Sequence, residues 1–165
     1  MPHEDSEAID GFARAHLASL VLELQSARLR HTLSQRRLST LLGLTEIVVG
    51  KWETGTDVPS TDNFVRWVDR LGFTVDILDR ARQAASDPPT AHDPETPEAY
   101  AIRRLVGALR TARLEAGFTR KAVGGEMDVS TRTILMWETA ARQPRVLHLI
   151  AWADVLGCSL VLTAS

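Results

Sequence analysis

Leu33-Ser-Gln-Arg-Arg-Leu-Ser-Thr-Leu-Leu-Gly-Leu-Thr-Glu-Ile-Val-Val-Gly-Lys-Trp-Glu-Thr-Gly55 decides how this chain is read, because the same grammar returns 85 residues later. The second copy is Phe118-Thr-Arg-Lys-Ala-Val-Gly-Gly-Glu-Met-Asp-Val-Ser-Thr-Arg-Thr-Ile-Leu-Met-Trp-Glu-Thr-Ala140. In each, a hydroxyl residue suited to an N-cap (Ser34, Thr119) precedes a short apolar-periodic run. A residue able to turn left-handed follows (Gly43, Asp128), then a second hydroxyl (Thr45, Ser130) and a second run ending in Trp-Glu-Thr. The spacing predicts two short helices joined by a tight turn.

Extending the comparison outward aligns Leu20 to Ile77 with Leu105 to Leu162 without a gap. Fourteen of 58 positions are identical, among them Leu24/Leu109, Arg28/Arg113, Pro59/Pro144, Trp67/Trp152 and Leu71-Gly72/Leu156-Gly157. Self-similarity at a fixed offset is the mark of a repeated structural unit. The expected organisation is a first domain over 1–80, a Pro-rich linker over 81–96 and a second domain over 97–165. The linker prediction rests on Pro88-Pro89, Pro94 and Pro97. Each unit is near the lower size limit for an independent core.

Before the quoted stretch, Leu17, Leu20, Val21, Leu24 and Ala27 fall on one face of a helix expected from Ser6 to about Arg30. Thr45 is expected to cap a helix from Glu46 to Glu53, and Thr61 or Asp62 a fourth helix to about Leu71. In repeat 2, Thr96 caps a helix with Pro97 at its first position, and a fourth helix covers about Arg145 to Leu156. Phe73 to Leu78 and Cys158 to Thr163 carry β-type residues. These are short strand candidates that must pair with each other or with another chain, a frayed tail being the alternative.

The two stretches resemble the Cro/C1 (Xre) repressor family of helix-turn-helix DNA-binding proteins, across about 120 residues. The resemblance implies a mainly all-α fold of two tandem lambda-repressor-like domains, each ending in a short strand where the candidates form. It implies structural ion pairs between Arg28 and Glu53 and between Arg113 and Glu138, with Trp52 and Trp137 as core; Trp67 and Trp152 are read as core or interface. It also implies that the third helix of each repeat reads double-stranded DNA in the major groove. Repeat 2 departs from the pattern at Arg120, at Gly124-Gly125, at Asp128 and at Ala140.

The DNA-contacting positions expected in repeat 2 are Ser130, Thr131, Arg132, Thr133 and Met136 on the reading helix, with Arg120, Lys121, Arg142 and Arg145 as phosphate contacts and Thr119 at a helix N-terminus. Arg132 is the best base reader, its fork matching guanine O6 and N7. In repeat 1 they are Gln35, Arg36, Arg37, Thr45, Glu46, Ile47, Val48, Gly50 and Lys51. Glu46 is unfavourable near phosphates but can accept from cytosine N4, and Ile47 and Val48 suit thymine methyls or a protein surface equally. Charge follows the asymmetry: Leu20 to Leu78 holds seven Lys/Arg and seven Asp/Glu, whereas Leu105 to Leu162 holds seven against five.

The chain's net charge of −2 gives no general attraction to nucleic acid. No run of about 20 apolar residues occurs, so no membrane span is expected. The acidic start lacks a secretory h-region, and a single cysteine, Cys158, fits a reducing, cytoplasmic setting. Five scattered His residues have no metal-ligand spacing, and no nucleotide or nucleophile motif is present. No enzyme, metal or cofactor is therefore expected. The functional expectation is a repressor-like transcription regulator acting as an intramolecular pseudo-dimer. The rival is a protein-interaction module, such as an antitoxin or antirepressor, whose first repeat grips a protein partner; a homodimer is a further arrangement left open.

Overall fold

The structure, a computed structural model, describes residues 2–79 and 95–165, with side chains in the first helix from residue 8 onward. Most of the expected linker over 81–96 lies outside the described residues. Repeat 1 comprises α1 (Pro2–Arg30), α2 (Gln35–Leu41), α3 (Val48–Glu53), α4 (Thr61–Arg70) and β1 (Phe73–Leu78). Repeat 2 comprises α5 (Pro97–Glu115), α6 (Arg120–Met127), α7 (Thr131–Glu138), α8 (Val146–Val155) and β2 (Ser159–Ala164). The chain is mainly helical, as its sequence implies.

Hydroxyl caps start most of these helices. Ser34, Thr96, Thr119 and Ser130 each accept a hydrogen bond from the backbone N–H three residues on, which satisfies one of the orphan donors of a first turn. Two expected caps are corrected. α4 is capped by Ser60, not by Thr61 or Asp62; Thr61 is buried and donates instead to the Pro144 carbonyl of the other repeat at 2.6 Å. α3 begins at Val48 rather than Glu46, with Ile47 at the cap position and no side-chain cap. A tight turn bond from Val48 N–H to the Thr45 carbonyl precedes it, and the β-branched run Ile47-Val48-Val49 has weak helix propensity. α1 also runs further than expected, starting at Pro2.

Asp128 ends α6 in the left-handed region, at φ 54° and ψ 42°, where repeat 1 uses Gly43 at φ 72°. Gly124 has its own reason inside α6. A Cβ there would lie 2.7 Å from the Val129 carbonyl oxygen, so the turn between α6 and α7 closes against bare backbone. Its counterpart Ser39 is fully buried, donates to the Gln35 carbonyl and accepts from Val49 N–H at 3.0 Å. One repeat thus fixes the α2/α3 junction with a hydroxyl, the other with close approach.

The two repeats do not hold separate cores. Their buried apolar residues form one continuous cluster in which Leu24, Leu109, Trp67 and Trp152 are fully buried. The Trp pairs repeat their geometry: Trp52–Trp67 centroids are 5.2 Å apart and Trp137–Trp152 centroids 5.6 Å. Packing is reciprocal across the repeats, α1 lying on α8 and α5 on α4. β1 and β2 pair antiparallel, with Asp76 opposite Val161 at the centre and Phe73 opposite Ala164 at one end. Asp76 and Val161 are repeat-equivalent, 85 positions apart, so a pseudo-twofold axis passes between them. Both outer edges of this ribbon are capped. Arg104 binds the Val75 carbonyl and the Asp76 carboxylate, the latter at 2.5 Å, and His16 Nε2 bonds the Leu160 carbonyl at 2.7 Å.

Candidate nucleic-acid interface

In each repeat the third helix is anchored from behind by a buried ion pair. Arg28 Nε meets Glu53 Oε1 at 2.6 Å, and Arg113 Nη2 meets Glu138 Oε1 at 2.7 Å. Both arginines are bidentate and donate a further bond to a carbonyl five residues on, that of Leu33 or Phe118. Such pairs fix position more than they add stability, since desolvation offsets much of the Coulomb gain. They lock the first helix to the end of α3 or α7, and so set how the reading helix projects.

On α7, Ile134 and Trp137 point into the core. Thr131 and Arg132 are exposed, while Thr133 and Met136 are half-buried. Thr133 Oγ1 lies 2.8 Å from the capping Ser130 Oγ. Lys121, Arg132, Arg142 and Arg145 are exposed, and among the described residues their side chains carry no hydrogen bond or ion pair. Arg120 is different: its Nε sits 3.4 Å from Glu138 Oε1, drawing it toward the internal carboxylate. Arg110 approaches the same oxygen at 4.0 Å. Three arginines therefore converge on one glutamate at the base of α7. Leu135, 41% exposed, is an outward-facing α7 residue that the sequence expectation does not include. Its signal was available, since Arg132, Leu135, Met136 and Thr139 share one helical face once Ile134 and Trp137 are assigned inward.

Repeat 1 presents different chemistry at the equivalent places. Gln35, in the position of Arg120, donates to Glu53 Oε2 at 2.7 Å. Glu46 replaces Thr131 and is paired with Arg36 at 2.8 Å, both mostly exposed. Ile47 replaces Arg132 and is 63% exposed. Asp57 and Val58 stand where Arg142 and Gln143 stand in repeat 2. Arg37, Thr45 and Lys51 are exposed, with Val48 and Gly50 half-buried. The two repeats meet where the loop after α7 touches the first turn of α4: Gln143 Nε2 donates to Asp62 Oδ1 at 3.1 Å.

Burial perturbs two groups of repeat 2. His148, whose ring is 5.0 Å from that of Trp137, is held below the usual imidazole pKa by burial and by the Arg145 charge, with Asp10 opposing. Burial pushes the Cys158 thiol up, with Asp79 and Glu115 adding to the shift, which favours its protonated form. Among the described residues no group of three or more His, Cys, Asp or Glu is placed to hold a metal, and no helix is long and apolar enough to cross a membrane.

Two helix pairs, each with a tight turn, a capped and outward-facing second helix and a buried anchor behind it, define a helix-turn-helix protein. The helix-turn-helix family model matches residues 24–78 and again residues 109–162. The chain belongs to that family, in its Cro/C1 type, as two tandem copies. No curated protein and no solved structure gives a significant match. The family is one of DNA-binding domains, typically non-enzymatic, and double-stranded DNA is the partner class it carries.

Proposed function

We propose that the chain is a sequence-specific transcription regulator of repressor type, which binds one asymmetric DNA site as an intramolecular pseudo-dimer. Residues 1–80 and 97–165 form its two halves. The observation that carries this reading is the ribbon centred on Asp76 and Val161, because a pseudo-twofold between two helix-turn-helix units is the geometry by which dimers of this type address successive major grooves about 34 Å apart. In repeat 2, Arg132 reads a guanine from α7, Thr131, Thr133, Leu135 and Met136 complete the base-facing surface, and Lys121, Arg142 and Arg145 clamp phosphates. Arg120 assists mainly by holding Glu138. In repeat 1, Gln35, Arg37, Thr45 and Lys51 contact the backbone, and Ile47 packs on a thymine methyl.

Selection from a random-sequence duplex pool at about 0.15 M salt tests this. Enrichment of a site with two unlike halves is expected. Enrichment of perfect inverted repeats overturns the pseudo-dimer, and no enrichment overturns sequence-specific binding. The exposed Ile47 and the Glu46–Arg36 pair favour one second reading, in which repeat 1 grips a protein partner as an antitoxin or antirepressor would. That reading predicts weak DNA binding that survives Arg132→Ala.

A further inference from the structure

The 85-residue repeat supplies an internal control for a groove that the DNA-binding reading does not use. Each repeat has a depression between its first helix and the loop after its third helix, floored by Trp52 in one and Trp137 in the other. In repeat 2 the depression is narrowed by the chain's own side chains. Arg103 lines it, held by Glu95 at 3.0 Å and lying 5.8 Å from the Tyr100 ring, and the volume is about 180 Å3. In repeat 1, Ala18 takes the place of Arg103 and Gly55 that of Ala140, and the volume is about 320 Å3. This falls within the range of small-molecule sites, roughly 300–1,000 Å3.

The lining of the larger groove is divided. Leu17, Val21, Leu22, Trp52 and Val58 form an apolar floor and wall, of which Leu22 is 62% and Val58 39% exposed. Arg14 stands at the end that opens toward the cleft between the loops after α3 and α7. Among the described residues Arg14 has no hydrogen bond or ion pair. Two acids touch the groove. Glu53 is 1% exposed and fully engaged by Arg28 and Gln35, and Asp57 accepts from Val58 N–H. A guanidinium with no partner among the described residues, set beside an apolar trough, matches an amphipathic anion, whose body leaves water while its charged head stays at the rim.

We propose that this groove is a binding site for a small amphipathic anion, an apolar body bearing a carboxylate or sulfonate, seated on Trp52 with its charge on Arg14. Trp52 and Thr54 are the last turn and cap of α3, so an occupant bears directly on the reading helix of repeat 1. The site stands apart from the DNA reading and is tested without DNA.

The probe is 1-anilinonaphthalene-8-sulfonate, titrated into the full chain with fluorescence excited through tryptophan. One saturable site per chain is expected, from which octanoate displaces the probe and octylammonium does not. Ala18→Phe, which fills the trough at an exposed position, weakens the probe roughly tenfold or more, and Arg14→Gln removes the preference of octanoate over octanol. Both variants keep the parent melting temperature. Absence of saturable binding, probe affinity unchanged by Ala18→Phe, or octylammonium competing as well as octanoate overturns the proposal.

Discussion

The two repeats share one backbone plan and diverge where they face outward. Behind the third helix they are nearly interchangeable: the Arg–Glu pair, the tilted Trp–Trp contact and the caps Ser34 and Thr119 recur at the same offset. In front they are chemical opposites. Arg132 and Arg142 of repeat 2 become Ile47 and Asp57 in repeat 1, and Thr131 becomes a glutamate already paired with Arg36. Packing constraints hold the hidden side constant, because a buried charge or a misfit ring costs several kcal/mol. The exposed side carries no such penalty and is free to specialise.

The comparison breaks most visibly at the buried pairs. Arg28→Ala leaves Glu53 buried with only Gln35 beside it and is expected to cost about 3–5 kcal/mol, or roughly 10 °C in Tm. Arg113→Ala is expected to cost clearly less, because Arg120 and Arg110 stay near Glu138. Equal losses in thermal melts would show that those two arginines do not compensate.

DNA affinity comes next. Arg132→Ala should lose about 1–3 kcal/mol at one base position and relax selectivity there, whereas Ile47→Ala should lose less and Arg145→Ala should weaken all sequences alike. Competitive binding to single-base variants of the selected site measures all three. An Ile47 effect as large as that of Arg132 would remove the asymmetry.

Within the helix-turn-helix cores, Gly124→Ala forces a Cβ against the Val129 carbonyl and should destabilise by about 1–3 kcal/mol. Gly125→Ala meets open space and should stabilise by about 0.5–1 kcal/mol. Denaturant melts that give both the same sign would refute the close-approach account. At the caps, Ser60→Ala should cost about 1 kcal/mol, while Thr45→Ala should be near neutral because Thr45 does not cap α3.

The smallest effect is a pH dependence that arises at one histidine of repeat 2. His148 has a lowered folded pKa, so the unfolded chain binds its proton more readily. Its contribution to stability is therefore present above the ordinary imidazole pKa and is lost as pH falls through that region. His148→Asn, which copies Asn63 of repeat 1, should flatten that segment of the stability–pH curve; an unchanged slope would assign it to other groups.

Much of this was legible in the chain. Ser34, Thr96, Thr119 and Ser130 announced their helices because a cap needs only a hydroxyl and the next three residues. Asp128 could be read as a left-handed substitute for Gly43 for the same local reason. The approach of Arg120 to Glu138, 18 residues away, has no local signal, because it depends on how two helices pack. Thr45 misled because it satisfies the cap pattern but is followed by β-branched residues that delay the helix.

The sequence by itself determined the repeat, the order of its helices, the family and the residues that face inward, since periodicity, caps and turn chemistry act over a few positions. Only the tertiary structure decided how the halves combine. It set Asp76 against Val161, packed α1 on α8 and α5 on α4, sealed the ribbon edges with Arg104 and His16, and left one groove open where its twin is narrowed. Those outcomes depend on which surfaces, some 85 residues apart, bury one another best, and no local pattern encodes that choice.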